Sequence, residues 1–290
     1  MRIYPLTLLL LCFLSTAEAQ QLRYGFKTGL NFAKINGPSE VANSNNLESW
    51  ETITGFHIGI VFDYEFNDKF AVRGEALYSK RGGNYVYNGP SYRVFNTPSG
   101  AIRSAGNSNY RISINNSYID IPLTAVVKVQ KFEISAGAYA GLLVQSNGEG
   151  SLAYTKGITA PPTNARIDSI GFLLSHNYRR DDPGEGRGDN INVRVQNSTI
   201  QLPGTLGAYY DQKDDNGPLY KTLDYGVVGG LSFYLTSSLY LHGRFQYGLV
   251  DVTNNKSDVS RMALDSGGKL IFRDDKDQNW NISVSVGFKF

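Results

Sequence analysis

Stretches in which apolar and polar residues alternate with a period of two recur eight times along this chain, and the links between them are by turns very short and very long. A period of two is the signature of a β-strand with one apolar face. Residues 55–66 are the cleanest case: Phe56, Ile58, Ile60, Phe62, Tyr64 and Phe66 share one face, and Gly55, His57, Gly59, Asp63 and Glu65 the other. The remaining segments are 22–32, 70–79, 118–129, 132–145, 223–236, 239–249 and 279–290. Asn67–Lys69, Gln130–Lys131 and Ser237–Ser238 close three of the links. The other four take roughly 20, 35, 75 and 25 residues, so short and long links alternate strictly. That order belongs to an antiparallel barrel with short periplasmic turns and long extracellular loops. The chain is therefore expected to be all-β: an eight-stranded antiparallel transmembrane β-barrel. Closure satisfies every backbone group that a strand carries into hydrocarbon. A soluble sandwich or a lipocalin-like periplasmic binder also alternates, with its apolar face turned inward.

The amino terminus supports export. Met1-Arg2 is followed by an apolar run through Leu14, and Ala17-Glu18-Ala19 is the small-x-small pattern at which a signal peptide is cut. Residues 1–19 are expected to be a cleaved signal peptide, leaving 20–290 as the barrel, with a long extracellular loop at about 147–220. Cys12, the only cysteine, lies inside the apolar run, with bulky Leu11 before it, so a lipoprotein signal does not fit. The mature chain then holds no disulfide, thiolate metal site or catalytic cysteine. A net charge of +2 without a basic cluster excludes a nucleic-acid partner.

Several short motifs occur in a fixed order. They are Gly29-Leu30-Asn31-Phe32, Gly55-Phe56-His57-Ile58-Gly59, Glu75-Ala76-Leu77-Tyr78-Ser79-Lys80-Arg81-Gly82 and Tyr118-Ile119-Asp120-Ile121-Pro122-Leu123. Gly137-Ala138-Tyr139-Ala140-Gly141, Asp224-Tyr225-Gly226 and Arg244-Phe245-Gln246-Tyr247-Gly248-Leu249 follow. In this order they resemble the PorT-like outer-membrane β-barrel family of Bacteroidetes, across nearly the whole mature chain except its loops. The resemblance implies an outer-membrane location in a Gram-negative bacterium. Its eponymous member assists protein secretion across that membrane. Phe290 resembles the aromatic last residue read by the barrel-assembly machinery, which would be a partner during insertion.

Eight strands leave an interior just filled by side chains. The inward face carries Lys27, His57, Glu65, Arg73, Glu75, Asp120, Lys128, Asp224, His242 and Arg244. Charges in such a place must be paired. Lys27, Arg73, Glu75, Asp120, Asp224, His242 and Arg244 are therefore expected to form a polar network that plugs the lumen. No enzyme is expected: there is no G-x-S-x-G element, and His57 and His242 face inward, away from lipid. A small barrel enzyme acting on lipid or peptide is the rival. No cofactor or metal is expected, since 211–217 and 274–279 lack calcium-loop spacing and read as solvated turns. Arg187-Gly188-Asp189 is an RGD tripeptide, a match common by chance. Function is assigned to the extracellular loops, in envelope binding or assembly. Expected partners are outer-membrane lipid and a secretion-system or extracellular partner.

Overall fold

The computed structural model describes residues 21–97 and 100–290; the predicted signal peptide, 1–19, lies outside the described residues. Eight strands make a closed ring: β1 (Gln21–Asn36), β2 (Ile53–Glu65), β3 (Phe70–Thr97), β4 (Gly100–Val129), β5 (Phe132–Thr159), β6 (Leu223–Tyr234), β7 (Leu239–Gly248) and β8 (Gln278–Lys289). Every neighbour is antiparallel, and β1 closes the ring on β8 from Gly25 opposite Lys289 to Asn36 opposite Gln278.

The three short turns fall where the sequence places them. Asn67 Oδ1 accepts the backbone N–H groups of Lys69 and Phe70 at 2.9 and 3.0 Å, which shapes the first. Gln130 takes φ of 54° in the second. Thr236 Oγ1 accepts from Ser238 and Leu239 in the third.

Outward residues in the lower half of the ring are apolar and uncovered. Ile121 and Leu123 are 58% and 60% exposed, whereas Asp120 between their strands' inward neighbours is fully buried. The reverse arrangement, required of a lipocalin-like binder, is thereby overturned. Tyr24 stacks on Phe290 at 5.4 Å, and Phe132 meets Phe233 at 5.1 Å, near the ends of the strands that meet the periplasmic turns. Trp280 lies at the opposite rim with Lys34 over its ring. These positions suit interfacial girdles.

The link of roughly 35 residues expected between strands three and four does not exist as a loop. Strands β3 and β4 stay paired from Phe70 opposite Val127 to Thr97 opposite Gly100. The alternation continues above the apolar band, but with different chemistry. On β4 the inward set changes from Asp120 and Thr124 to Tyr110, Ile112 and Ile114, while Arg111 and Ser113 face out. Strand β5 keeps pace through an irregularity: Tyr118 pairs with Leu143 and Ser117 with Gln145, which leaves Val144 as an extra residue. Beyond it the inward positions become Ser146, Gly148, Leu152 and Tyr154.

These extensions carry a folded dome. Glu48–Glu51, just before β2 begins, pairs with β3 at residues 84–87, and Ile170–Asn177 pairs with β5 from Asn147 to Tyr154. A hairpin of Gly186–Val195 and Ser198–Leu206 adds to the far side. The buried apolar cluster of the molecule lies here, including Tyr87, Phe95, Tyr110, Leu152, Tyr154, Phe172, Leu202 and Tyr220. The 147–220 segment therefore begins as a strand and goes on as sheet.

Candidate functional site

Inside the ring, charged side chains sort into three tiers. In the tier nearest the periplasmic turns, Arg73 forks onto Asp63, with Nε and Nη2 donating at 2.7 and 2.9 Å, and also donates to Glu133. Lys289 bridges Asp63 and Glu133, and the Tyr234 hydroxyl donates to Glu133 at 2.9 Å. In the middle tier Lys27 and Arg244 share Glu75 at 2.7 and 3.0 Å. In the upper tier Arg81 donates to Asp120 at 2.6 Å and to Asp224 at 2.8 Å, with its guanidinium 3.8 Å above the Tyr118 ring. Tyr139 and Asn279 complete the shell of Asp224 at 3.0 and 2.9 Å.

The structure brings six of the seven network residues into these pairs. His242 stands apart, with Nδ1 2.9 Å from Ser232 Oγ and no carboxylate partner among the described residues. Four members escaped sequence reasoning: Asp63, Arg81, Glu133 and Lys289. All lie on the inward parity of their strands. Arg81 was missed because segment three was ended at Ser79, two residues early. Cations and carboxylates balance, with Lys27, Arg73, Arg81, Arg244 and Lys289 against Asp63, Glu75, Asp120, Glu133 and Asp224. Breaking one such buried pair from one side costs about 3–5 kcal/mol.

A second arrangement was not foreseen. His57 Nε2 lies 2.7 Å from Ser285 Oγ, and Asn31 Oδ1 lies 2.9 Å from His57 Nδ1. The order is that of nucleophile, base and orienting group. All three side chains are buried in the lumen, and Asn31 is tied to Ser79 and to the carbonyls of Phe56 and Lys80. The three side chains form a continuous polar chain across β1, β2 and β8 on the inward face of the ring.

Above the membrane, the loop between β7 and β8 crosses the dome and inserts Arg261 between Tyr110 and Tyr85, 3.8 and 5.3 Å from the ring centres. Beside it, Asp258, Asp275 and Asp277 hold oxygens within 4.8 Å of one another. Arg273 pairs with Asp275 and donates to Glu48 at 2.8 Å, and Thr253 donates to Asp277 at 3.0 Å. Burial pushes the Asp258 carboxyl up to about 7, Arg273 opposing and Asp277 adding to it. Burial likewise raises Asp277 to about 6. The 274–279 stretch is thus not a solvated turn, because Asp277 is enclosed where the loop returns to β8. His176, enclosed in the dome, is held down at about 3 by burial and by Arg261.

The RGD tripeptide lies on the hairpin strand Gly186–Val195, with Arg187 engaged and Gly188 and Asp189 exposed. Arg187 pairs with Asp181 and Glu185 and donates to the Ser175 carbonyl at 2.8 Å, and the backbone bulges at Gly188. Phe290 is 61% exposed and stacked on Tyr24 at the periplasmic rim.

Apolar exterior, ion-paired lumen, short turns at one end and a folded dome at the other define an outer-membrane β-barrel. Residues 18–254 match the outer membrane protein beta-barrel domain, and the chain belongs to that family. Strand β8 lies beyond the match and joins the ring by its register with β1 and β7. Among solved structures, the chain is similar to Ail, the attachment invasion locus protein of Yersinia pestis, at 11% identity and a TM-score of 0.34, covering 92% of this chain and 98% of that one. It is also similar to Neisserial surface protein A at 12% identity and a TM-score of 0.31, covering 94% and 100%. No curated protein matches the sequence.

Proposed function

We propose that this outer-membrane protein works without catalysis, by presenting its dome to a partner outside the cell. The observation that supports this most is where the apolar core lies: the chain builds a soluble-type core above the membrane and fills the lumen with paired charges. A lumen crossed by three such tiers favours a plug over a channel. The Ser285–His57–Asn31 chain is enclosed, which argues against use as a hydrolase. Photocrosslinking residues placed at Leu173 and Asn190 on the dome, and at Lys131 on a periplasmic turn, test this in intact cells. Adducts with an external partner from the dome positions are expected. Adducts from Lys131 alone would overturn it.

That second outcome would favour accessory work in protein secretion, which the PorT-like resemblance implies. One observation supports it: a cleft of about 450 Å³ at the periplasmic end, lined by Arg23, Lys131, Tyr234 and Ser237 among others.

A further inference from the structure

Three separate loops meet at the far tip of the dome and enclose a cleft of about 390 Å³. Val94 and Arg103 come from paired positions on β3 and β4. Asp211–Asn216 comes from the return of the 160–222 segment, and Leu264–Phe272 from the loop between β7 and β8.

The charges on this wall are uneven. Asp211 is neutralised by Arg93 at 2.8 Å. The side chains of Arg103, Lys213 and Lys269 make no ion pair or hydrogen bond among the described residues. Against them stands the single unpaired carboxylate of Asp214, which leaves a surplus of positive charge. Elsewhere in the dome several cations are neutralised: Arg187 by Asp181, Lys221 by Asp251 and Arg273 by Glu48. Arg103 is also held in place. The turn at Gly268, with φ of +73°, lies so close to it that a Cβ there would fall 3.2 Å from Arg103 Cδ.

The lining also holds the polar Gln212 and Asn216 and an apolar side of Val94, Leu264 and Leu270, with Phe272 45% exposed. A cleft of this volume, apolar with a few placed charges, has the composition of a small-ligand site. Val94 stands thirteen residues beyond Arg81, or ~40 Å along the strand at ~3.3 Å per residue, so the cleft lies beyond the apolar band and opens to the aqueous exterior. A ligand must therefore come from the aqueous exterior, carry negative charge, and offer apolar faces to Phe272 and the leucines. A polymer of acidic sugars meets all three needs, since each ring has a C–H face and an anionic substituent.

We propose that this cleft binds an acidic glycan through about two sugar rings, with Arg103, Lys213 and Lys269 on the anionic groups and Phe272 under a ring face. This rests on the reading of the dome as the working surface and names its ligand class.

The test uses the full chain in nanodiscs, titrated by calorimetry with polygalacturonate, chondroitin sulfate and neutral dextran. Saturable binding of at least one acidic polymer is expected, weakening as salt rises. The variant R103Q/K213Q/K269Q should lose at least tenfold in affinity, and F272A a few-fold, while both keep the unboiled fast gel band of a folded barrel. Preference between the two acidic polymers separates carboxylate from sulfate recognition. Binding of dextran as tight as that of the polyanions would overturn the proposal, as would unchanged affinity in the triple variant or no binding of either polyanion. If any of these results overturns the site while the unsubstituted protein still gives dome crosslinks in cells, the dome reading stands and only this site falls.

Discussion

The barrel and the dome share three strands, which follow opposite rules in each. Below, β3, β4 and β5 turn Ile119, Ile121, Leu123 and Ile134 outward and keep Arg73, Glu75, Asp120 and Glu133 inside. Above, the same strands enclose Tyr87, Phe95, Tyr110, Ile112 and Leu152 and send polar residues out. Backbone pairing is continuous across the change. What differs is the solvent: lipid rewards an apolar exterior and leaves the interior to paired charges, and water reverses both. The boundary lies where β5 carries its extra residue at Val144, between the Asp120 tier and the first apolar layer.

If the two regions answer to different solvents, damage to one should be readable apart from the other. The largest effect is expected from Arg73→Met, which leaves Asp63 and Glu133 with Lys289 as their one cation among the described residues and should cost about 4 kcal/mol. The urea concentration at which the fast-migrating unboiled band disappears measures it. An unchanged midpoint would mean that the lower tier contributes little to the barrel. Next comes Phe95→Ala, a cavity in the dome costing about 3 kcal/mol. Limited proteolysis should cut the dome while the fast band persists. Loss of both together would show one cooperative unit and dissolve the contrast. Leu123→Arg, on the lipid face, should cost about 2 kcal/mol in bilayers. In the dome, an outward substitution such as Ser113→Arg should be neutral by the same assay.

The smallest effect is one of pH, read on the dome. Asp258 is raised to about 7, so the fold favours its protonated form. Its stabilisation is complete below the ordinary aspartate pKa and is lost as pH rises through about 7. Asp277 follows the same course through about 6. His176, lowered to about 3, acts in the other direction: its contribution is present above 6.5 and is lost as pH falls toward 3. Asp258→Asn should therefore raise the dome's resistance to protease at pH 8 and leave it unchanged at pH 4. Equal protection in both proteins at pH 8 would refute the assignment.

The transmembrane half was legible because lipid imposes one rule on every strand. Phe56 to Phe66 alternate without a break, and the three turns are marked by Asn67, Gln130 and the Ser237-Ser238 pair. The dome was hidden by the same rule. A search for apolar residues on the outward parity finds Asn84, Asn88, Arg111 and Ser113 there, and so takes residues 80–117 for a loop. The inward parity holds Tyr85, Tyr87, Tyr110 and Ile112, a pattern open to a reader who expects the phase to invert at the membrane surface. Of the lumen network, Lys27, Arg73, Glu75, Asp120, Asp224 and Arg244 followed from parity. Which cation meets which carboxylate depends on neighbours across the ring, such as Arg81 and Asp224, 143 residues apart. Nothing local in the sequence encodes that.

Continuity of β3, β4 and β5 also sets how the molecule bears load. A pull on the hairpin tip, from a partner held outside the cell, has no hinge to open along those strands. It passes down to the wall, where β3 lies against β2 and β5 against β6. There the force runs parallel to the strands, so the hydrogen bonds of each seam are sheared together and none is peeled first. A dome mounted in this way is stiff along its axis and anchored through three of the barrel's eight strands.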